Sequence, residues 1–229
     1  MTAPREPRAF FGRKRGDKLS PRKAALFDTL LPRVALDLAQ PAPRDLRGLF
    51  APPVDDIRLE IGFGGAEHLL EQAQALPRTG FLACDGFLNA AAKALTGIEE
   101  RQLANIRLHH GDAVHLLDWL PAASLSRVEL MYPDPWPKRR QWKRRFVQDD
   151  NLARLGRVLK TGGEFRFATD IADYAAWTLA RVLRSSDFTW TAESAGDWRA
   201  PWPDFAGTRY QEKAKREGRT PAYFTFRRR

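Results

Sequence analysis

Cysteine is nearly missing: Cys84 is the single one in 229 residues. An intramolecular disulfide is therefore excluded, as is a cysteine-rich zinc site, and the composition suits a reducing, cytoplasmic setting. No run of 18 apolar residues occurs, and the N-terminus lacks the basic-then-apolar order of a secretory signal, so a soluble chain without membrane contact is expected. The phosphate loop G-x-x-x-x-G-K-[ST] is absent, which argues against an NTPase. His68, His109, His110 and His115 lack ligand spacing with carboxylates on a common face, so core or surface roles and no metal are expected. No repeat is visible, and no linker-like stretch divides the middle of the chain. With 43% hydrophobic residues, one sizeable core is expected.

Positive charge is what the chain has in excess, and it is localised. The formal net charge is +10. Residues 1–23 carry eight Arg/Lys against two acids, residues 138–145 six against none, and residues 208–229 eight against two, which leaves the remainder at −8. Two basic arms and one basic loop attached to an acidic body are the footprint of a polyanionic partner such as RNA. The competing reading is that Arg-rich tails merely keep the protein soluble. A membrane surface would call for an amphipathic helix with an aromatic face, and none accompanies the charges.

Residues 1–50 read as a basic N-terminal arm and a helix starting after Ser20-Pro21, where serine caps and proline suits the first turn. Residues 40–55 are a proline-rich connector. Residues 51–229 form the main domain. Strands are expected at Ile57–Ile61, Phe81–Cys84, Ile106–His109, Val128–Met131, Glu164–Ala168, Phe188–Thr191 and Tyr223–Arg227. Helices are expected near Ala66–Ala75, Ala90–Leu95, Ala113–Leu120, Asp150–Leu159 and Ile171–Arg184, and Lys160-Thr161-Gly162-Gly163 reads as a turn. The alternation means βαβ units, an α/β fold and a mostly parallel sheet. Ligands of such sheets sit beyond the carboxyl ends of the strands. There the chain places Glu60 with Gly62–Gly65, then Asp85, Asp112, Asp134 and Asp170.

The segment Glu60-Ile61-Gly62-Phe63-Gly64-Gly65-Ala66-Glu67 is a strand-to-helix turn that lets a ligand approach the backbone. Asp85 lies about twenty residues further on, where a carboxylate can accept ribose hydroxyls. A dinucleotide fingerprint would need glycine where Glu67 stands. Acids crowding the pocket suit a cofactor with an ammonium and a sulfonium better than a pyrophosphate. S-adenosylmethionine meets this, with Glu60 shaping the glycine loop and facing the methionine moiety, Asp85 on the ribose and Asp112 by the adenine. A nicotinamide-dependent oxidoreductase and a non-catalytic RNA-binding protein are the rival readings.

After the fourth strand, three prolines stiffen Tyr132-Pro133-Asp134-Pro135-Trp136-Pro137, and Lys138-Arg139-Arg140-Gln141-Trp142-Lys143-Arg144-Arg145 follows. Trp136 could stack on a base while the basic run holds phosphates; the competing reading is a locally packed Trp136 and a solvated helix start. Cys84 reads as a buried small hydrophobe, Trp119 and Trp177 as core, Trp142 as either core or RNA-stacking, and Asp149-Asp150 as a helix cap.

The runs E-I-G-F-G (60–64), P-D-P-W-P-K-R-R-Q-W-K-R-R (133–145), F-A-T-D (167–170) and T-R-Y-Q-E-K-A (208–214) closely resemble those of bacterial tRNA (guanine-N7)-methyltransferases. The likeness covers residues 55–229, and the Phe-Gly-Arg arm at 11–15 resembles that of relatives. It implies a Rossmann-like class I methyltransferase fold with a seven-stranded sheet. It also implies methyl transfer from S-adenosyl-L-methionine to N7 of guanine 46 in the tRNA variable loop. The implied cofactor contacts are Glu60, Gly62, Gly64, Asp85, Asp112 and Asp134, with Asp134 also catalytic. The implied tRNA contacts are Lys138, Arg140, Gln141, Trp142, Lys143, Arg144, Arg145, Asp170, Thr208, Arg209, Tyr210 and Gln211. A monomer or homodimer is expected. Three positions depart from the family pattern: Ala66 replaces a frequent glycine, Asp85 stands where Glu is commoner, and Gln211 stands where Glu is usual.

Overall fold

The computed structural model describes residue 12 and residues 14–229. The start of the expected basic arm, including Phe10 and Phe11, lies outside the described residues. Seven strands form one sheet in the order β3-β2-β1-β4-β5-β7-β6. They are β1 Asp56–Ile61, β2 Thr79–Cys84, β3 Ile106–His109, β4 Leu125–Met131, β5 Leu159–Thr169, β6 Phe188–Trp190 and β7 Ala222–Arg228. The first five pair in parallel, while β7 runs antiparallel between β5 and β6. The α/β, Rossmann-like class I methyltransferase architecture is the one expected. Its strand order reverses direction between β1 and β4, which is where open α/β sheets bind ligands.

The helices are α1 Pro21–Thr29, α2 Leu31–Val34, α3 Glu67–Ala75, α4 Leu88–Arg101, α5 Ala113–Trp119, α6 Asp149–Val158, α7 Ala172–Val182, α8 Gly196–Arg199 and α9 Arg209–Arg216. Ser20 caps α1 through its hydroxyl, with Pro21 in the first turn, as the sequence requires. Residues 21–50 pack onto the sheet: Leu26 and Val34 join the apolar layer of α3 and α4, and Leu46 and Phe50 join the opposite layer. None of the described helices is long and apolar enough to cross a membrane.

Alternation along β1 sends Ile57, Leu59 and Ile61 into the layer shared with Leu116, Leu117 and Leu155, and Arg58 and Glu60 to the other face. Phe165 of β5 faces Phe226 of β7, and Phe167 faces Phe224, with ring centroids 5.8 and 6.4 Å apart. Each such ring, fully buried, contributes about 2–3 kcal/mol of transfer free energy. The Lys160–Gly163 turn sits inside β5, where a register shift against Leu125–Arg127 lets it bulge outward with Gly162 at φ +77°.

The long connection between β6 and β7 carries α8, α9 and a strap, Trp202–Phe205. The sequence showed a motif at 208–214 but gave no period long enough to predict α9. Thr208 caps this helix by accepting from Gln211 N.

Candidate active site

A cavity of about 580 Å³ opens at the carboxyl edge of the sheet. Gly62 and Gly64 line it with φ of +73° and +53°, backbone that only glycine adopts without strain. Asp85 follows β2, and its carboxylate oxygens accept N–H bonds from Gly64 at 2.9 Å and Phe87 at 2.8 Å. Burial raises the Asp85 carboxyl, and these two bonds pull it back. The carboxylate therefore anchors the glycine turn while facing the cavity, where its remaining lone pairs can accept hydroxyls. Asp112 caps α5 by accepting from Val114 N at 2.9 Å. Ile61, Val114, Leu130 and Met131 supply an apolar wall. Cys84 also borders the cavity, but burial together with the Asp85 carboxylate pushes its thiol far up, so it is no nucleophile at neutral pH.

The proline loop forms the opposite wall. Tyr132 and Trp136 take left-handed backbone, φ +49° and +43°, a costly geometry for bulky residues that surrounding structure must impose. Between them Asp134 borders the cavity. Surrounding protein raises its carboxyl, although the residue remains in contact with water. Arg144 stacks its guanidinium 4.9 Å from the Trp136 ring centroid. The basic run is a 3-10 helix, Arg139–Arg144. Lys138, Arg139, Arg140 and Lys143 are exposed, and Gln141 and Arg144 are half-buried.

From the other side α9 closes onto the glycine turn. A Cβ at Gly64 would meet Tyr210 Cε2 at 3.3 Å. Tyr210 is 43% exposed, and its ring lies within 20° of parallel to that of Tyr132, centroids 6.5 Å apart. Arg209 borders the same mouth. Gly12 also contributes to the lining. The arm beyond it is pinned to the start of α4, where Leu88 N donates to Lys14 O and Gly16 N to Asn89 Oδ1.

Five positions differ from their expected setting. Glu60 points away from the cavity: it shares a sheet face with Arg58, and His68 Nδ1 stands 3.2 Å from its carboxylate. Arg145 is 1% exposed and turned inward among Trp142, Tyr174 and Trp177, bonded to Pro135 O and Asp173. It ties the proline loop to α7 and is closed to an RNA phosphate in this conformation. Trp142 packs edge-on against Trp177. Gln211 is 6% exposed and donates through Nε2 to the Tyr223 hydroxyl at 2.7 Å. Asp170 holds Arg219 at 2.6 Å, beside the cavity rather than in its lining.

A charged sheet face was not legible in the sequence. Glu60, Glu129, Arg166 and Thr225 lie side by side across β1, β4, β5 and β7. Glu60, His68 and Glu129 bring ligand atoms within 4.8 Å of one another, all buried. Arg166 and Arg127 approach Glu129 Oε1 to 3.7 and 3.9 Å and already supply positive charge there. The strap covers this face, with Asp204 bridging Arg166 at 2.6 Å and Arg127 at 2.7 Å. Alternating polar residues in the strands were the available signal; their partners arrive from remote segments that spacing does not connect.

Residues 55–223 match the Methyltransf_4 family model, described as "Putative methyltransferase". A curated tRNA (guanine-N(7)-)-methyltransferase of Bradyrhizobium diazoefficiens is 58% identical over 221 residues, covering 96% of this chain and 94% of the relative. One of Nitrobacter hamburgensis is 56% identical over 220 residues, covering 96% and 86%. Among solved structures, TrmN from Thermus thermophilus aligns with a TM-score of 0.54 at 17% identity, covering 90% of this chain and 48% of that one. The 16S rRNA methyltransferase KamB aligns at 0.53 and 14%, covering 77% and 89%. These two likenesses bear on the fold. With near-complete coverage at such identity, the chain belongs to the tRNA (guanine-N(7)-)-methyltransferase family.

Proposed function

We propose that the protein transfers the methyl group of S-adenosyl-L-methionine to N7 of guanine 46 in the variable loop of tRNA. The observation that carries this reading is one cavity that gathers the Gly62–Gly64 turn, Asp85, Asp112, Asp134 and Lys143, with Lys138, Arg139 and Arg140 exposed in the segment that leads from the proline loop to Lys143. The donor set fits the cofactor. Glycines permit close approach, Asp85 can accept ribose hydroxyls, Asp112 stands beside an apolar wall suited to adenine, and acids suit the ammonium and sulfonium. Glu60 acts from behind, through the strand that carries the glycine turn.

Bound S-adenosylmethionine supplies an electrophilic methyl group on a sulfonium. Guanine N7 keeps a lone pair at neutral pH, so no protein group has to remove a proton. The chain's task is positioning, which can lower a barrier by several kcal/mol. Lys138, Arg140 and Lys143 would hold phosphates, while Trp136, Tyr132 and Tyr210 bound the entrance. Arg209 frames that entrance from α9, the helix that Thr208 caps. As N7 becomes cationic, the Asp134 carboxylate offsets the developing charge.

Methylation of unmodified tRNA with labelled cofactor, followed by nucleoside mapping, tests this. Label in N7-methylguanosine of the variable loop is expected. Label at any other position would overturn the assignment.

A further inference from the structure

Tyr223 lies on β7, 2% exposed, and belongs to neither wall of the cavity. Its hydroxyl nevertheless touches both. Gln211 of α9, the residue after Tyr210, donates Nε2–H to it at 2.7 Å. The Tyr132 hydroxyl, at the start of the proline loop, stands 3.2 Å away. Because the Tyr223 oxygen accepts from Gln211, its own proton is available to Tyr132. One hydroxyl thus joins the helix that carries Tyr210 to the loop that carries Asp134.

The remaining contacts of Tyr223 fix it in place. Trp202 and Phe205 pack edge-on against its ring, with centroids 5.5 and 5.6 Å away. Both belong to the strap, which Asp204 fastens to Arg127 and Arg166 and Trp202 fastens to Thr225 Oγ1 at 2.9 Å. Ring packing would be served equally by phenylalanine. The hydroxyl adds the link between two walls, and one of those walls begins at Tyr132 in left-handed backbone that needs outside support.

We propose that Tyr223 is a positioning residue of the methyl-transfer reaction, its hydroxyl locking Tyr132 and Tyr210 face to face across the cavity mouth so that the target base enters in one orientation. The proposal rests on the tRNA methyltransferase reading above. A reaction that depends on alignment rather than acid–base chemistry is sensitive to such a joint, since a 1 Å misplacement can cost about 10²-fold.

The test compares wild type with Tyr223→Phe, Gln211→Leu and the double variant. The measurements are kcat and KM for tRNA, affinity for S-adenosylhomocysteine, and melting temperature. Tyr223→Phe is expected to lower kcat/KM for tRNA about tenfold or more, with cofactor-product affinity within about twofold. Gln211→Leu should give a similar loss, and the double variant little more than either single change, because all three break one joint. Tyr223→Phe kinetics within about twofold of wild type would overturn the proposal. So would parallel loss of S-adenosylhomocysteine affinity or folding, which marks a general structural role. Wild-type protein inactive on tRNA would instead overturn the underlying reading of the site.

Discussion

Asp134 and Arg145 stand 11 residues apart and do different work. Asp134 faces the cavity with its carboxyl raised by its surroundings yet in contact with water. If its charge offsets the cation forming at N7, Asp134→Asn lowers kcat by about 10- to 10³-fold, the range for removing one electrostatic stabiliser. Near-normal turnover with intact cofactor binding would show that Asp134 contributes shape alone. Arg145 is the opposite case, a cation held by three aromatic rings and a backbone carbonyl. Its partner Asp173 is half-exposed and returns to water if the arginine is removed. Arg145→Ala should therefore cost about 2–4 kcal/mol of stability through lost packing and an emptied site, read from urea unfolding. By resemblance both counted as site residues, Asp134 catalytic and on the cofactor, Arg145 on the tRNA. The sequence could not show that a six-residue 3-10 helix turns one cation inward and leaves others outward.

At the scale of elements, the strap Trp202–Phe205 holds the C-terminal insertion against the sheet. Burial pushes the Asp204 carboxyl up, but the hydrogen bonds and charges of Arg166 and Arg127 together outweigh it and hold the group at about 2. A depressed carboxyl contributes stability that is fully present above its unfolded value near 3.8 and is lost as pH falls through about 2. Acid unfolding should then be displaced in Asp204→Asn: the variant is less stable than wild type above pH 4, and the gap closes below it. Urea midpoints measured across that window check this, and a gap independent of pH would show that the charge on Asp204 is not what fastens the strap. The strands of the parallel sheet were legible because each is an apolar run bounded by turn residues. The helix Arg209–Arg216 was not, because its buried side chains are only Gln211 and Ala214, too few to print a helical period.

Across the whole molecule, basic segments are arranged on an otherwise acidic body. Lys143 lines the cavity, and Lys138, Arg139 and Arg140 are exposed just before it in the chain. If they meet phosphates, tRNA affinity falls linearly on logarithmic axes with salt, and each neutralised contact removes about 0.7–0.9 from that slope. The pair of changes Arg140→Ala and Lys143→Ala is expected to flatten the slope by nearly two while leaving the melting temperature in place. An unchanged slope would assign the phosphate grip to other basic segments.

The α/β class, the order of alternating elements and the edge of the sheet where the cavity opens were all determined by the sequence itself. Apolar runs, glycine turns and acids after strands are local features, and local features survive without coordinates. The specific motifs at 60–64, 133–145 and 208–214 likewise carried the family. Tertiary structure decided the rest: that Glu60 joins His68 and Glu129, that Gln211 and Tyr132 meet on Tyr223, and that Arg145 is interior. Each of these depends on residues brought together from distant segments, through sheet register and the packing of an insertion, and neither is encoded in any spacing along the chain.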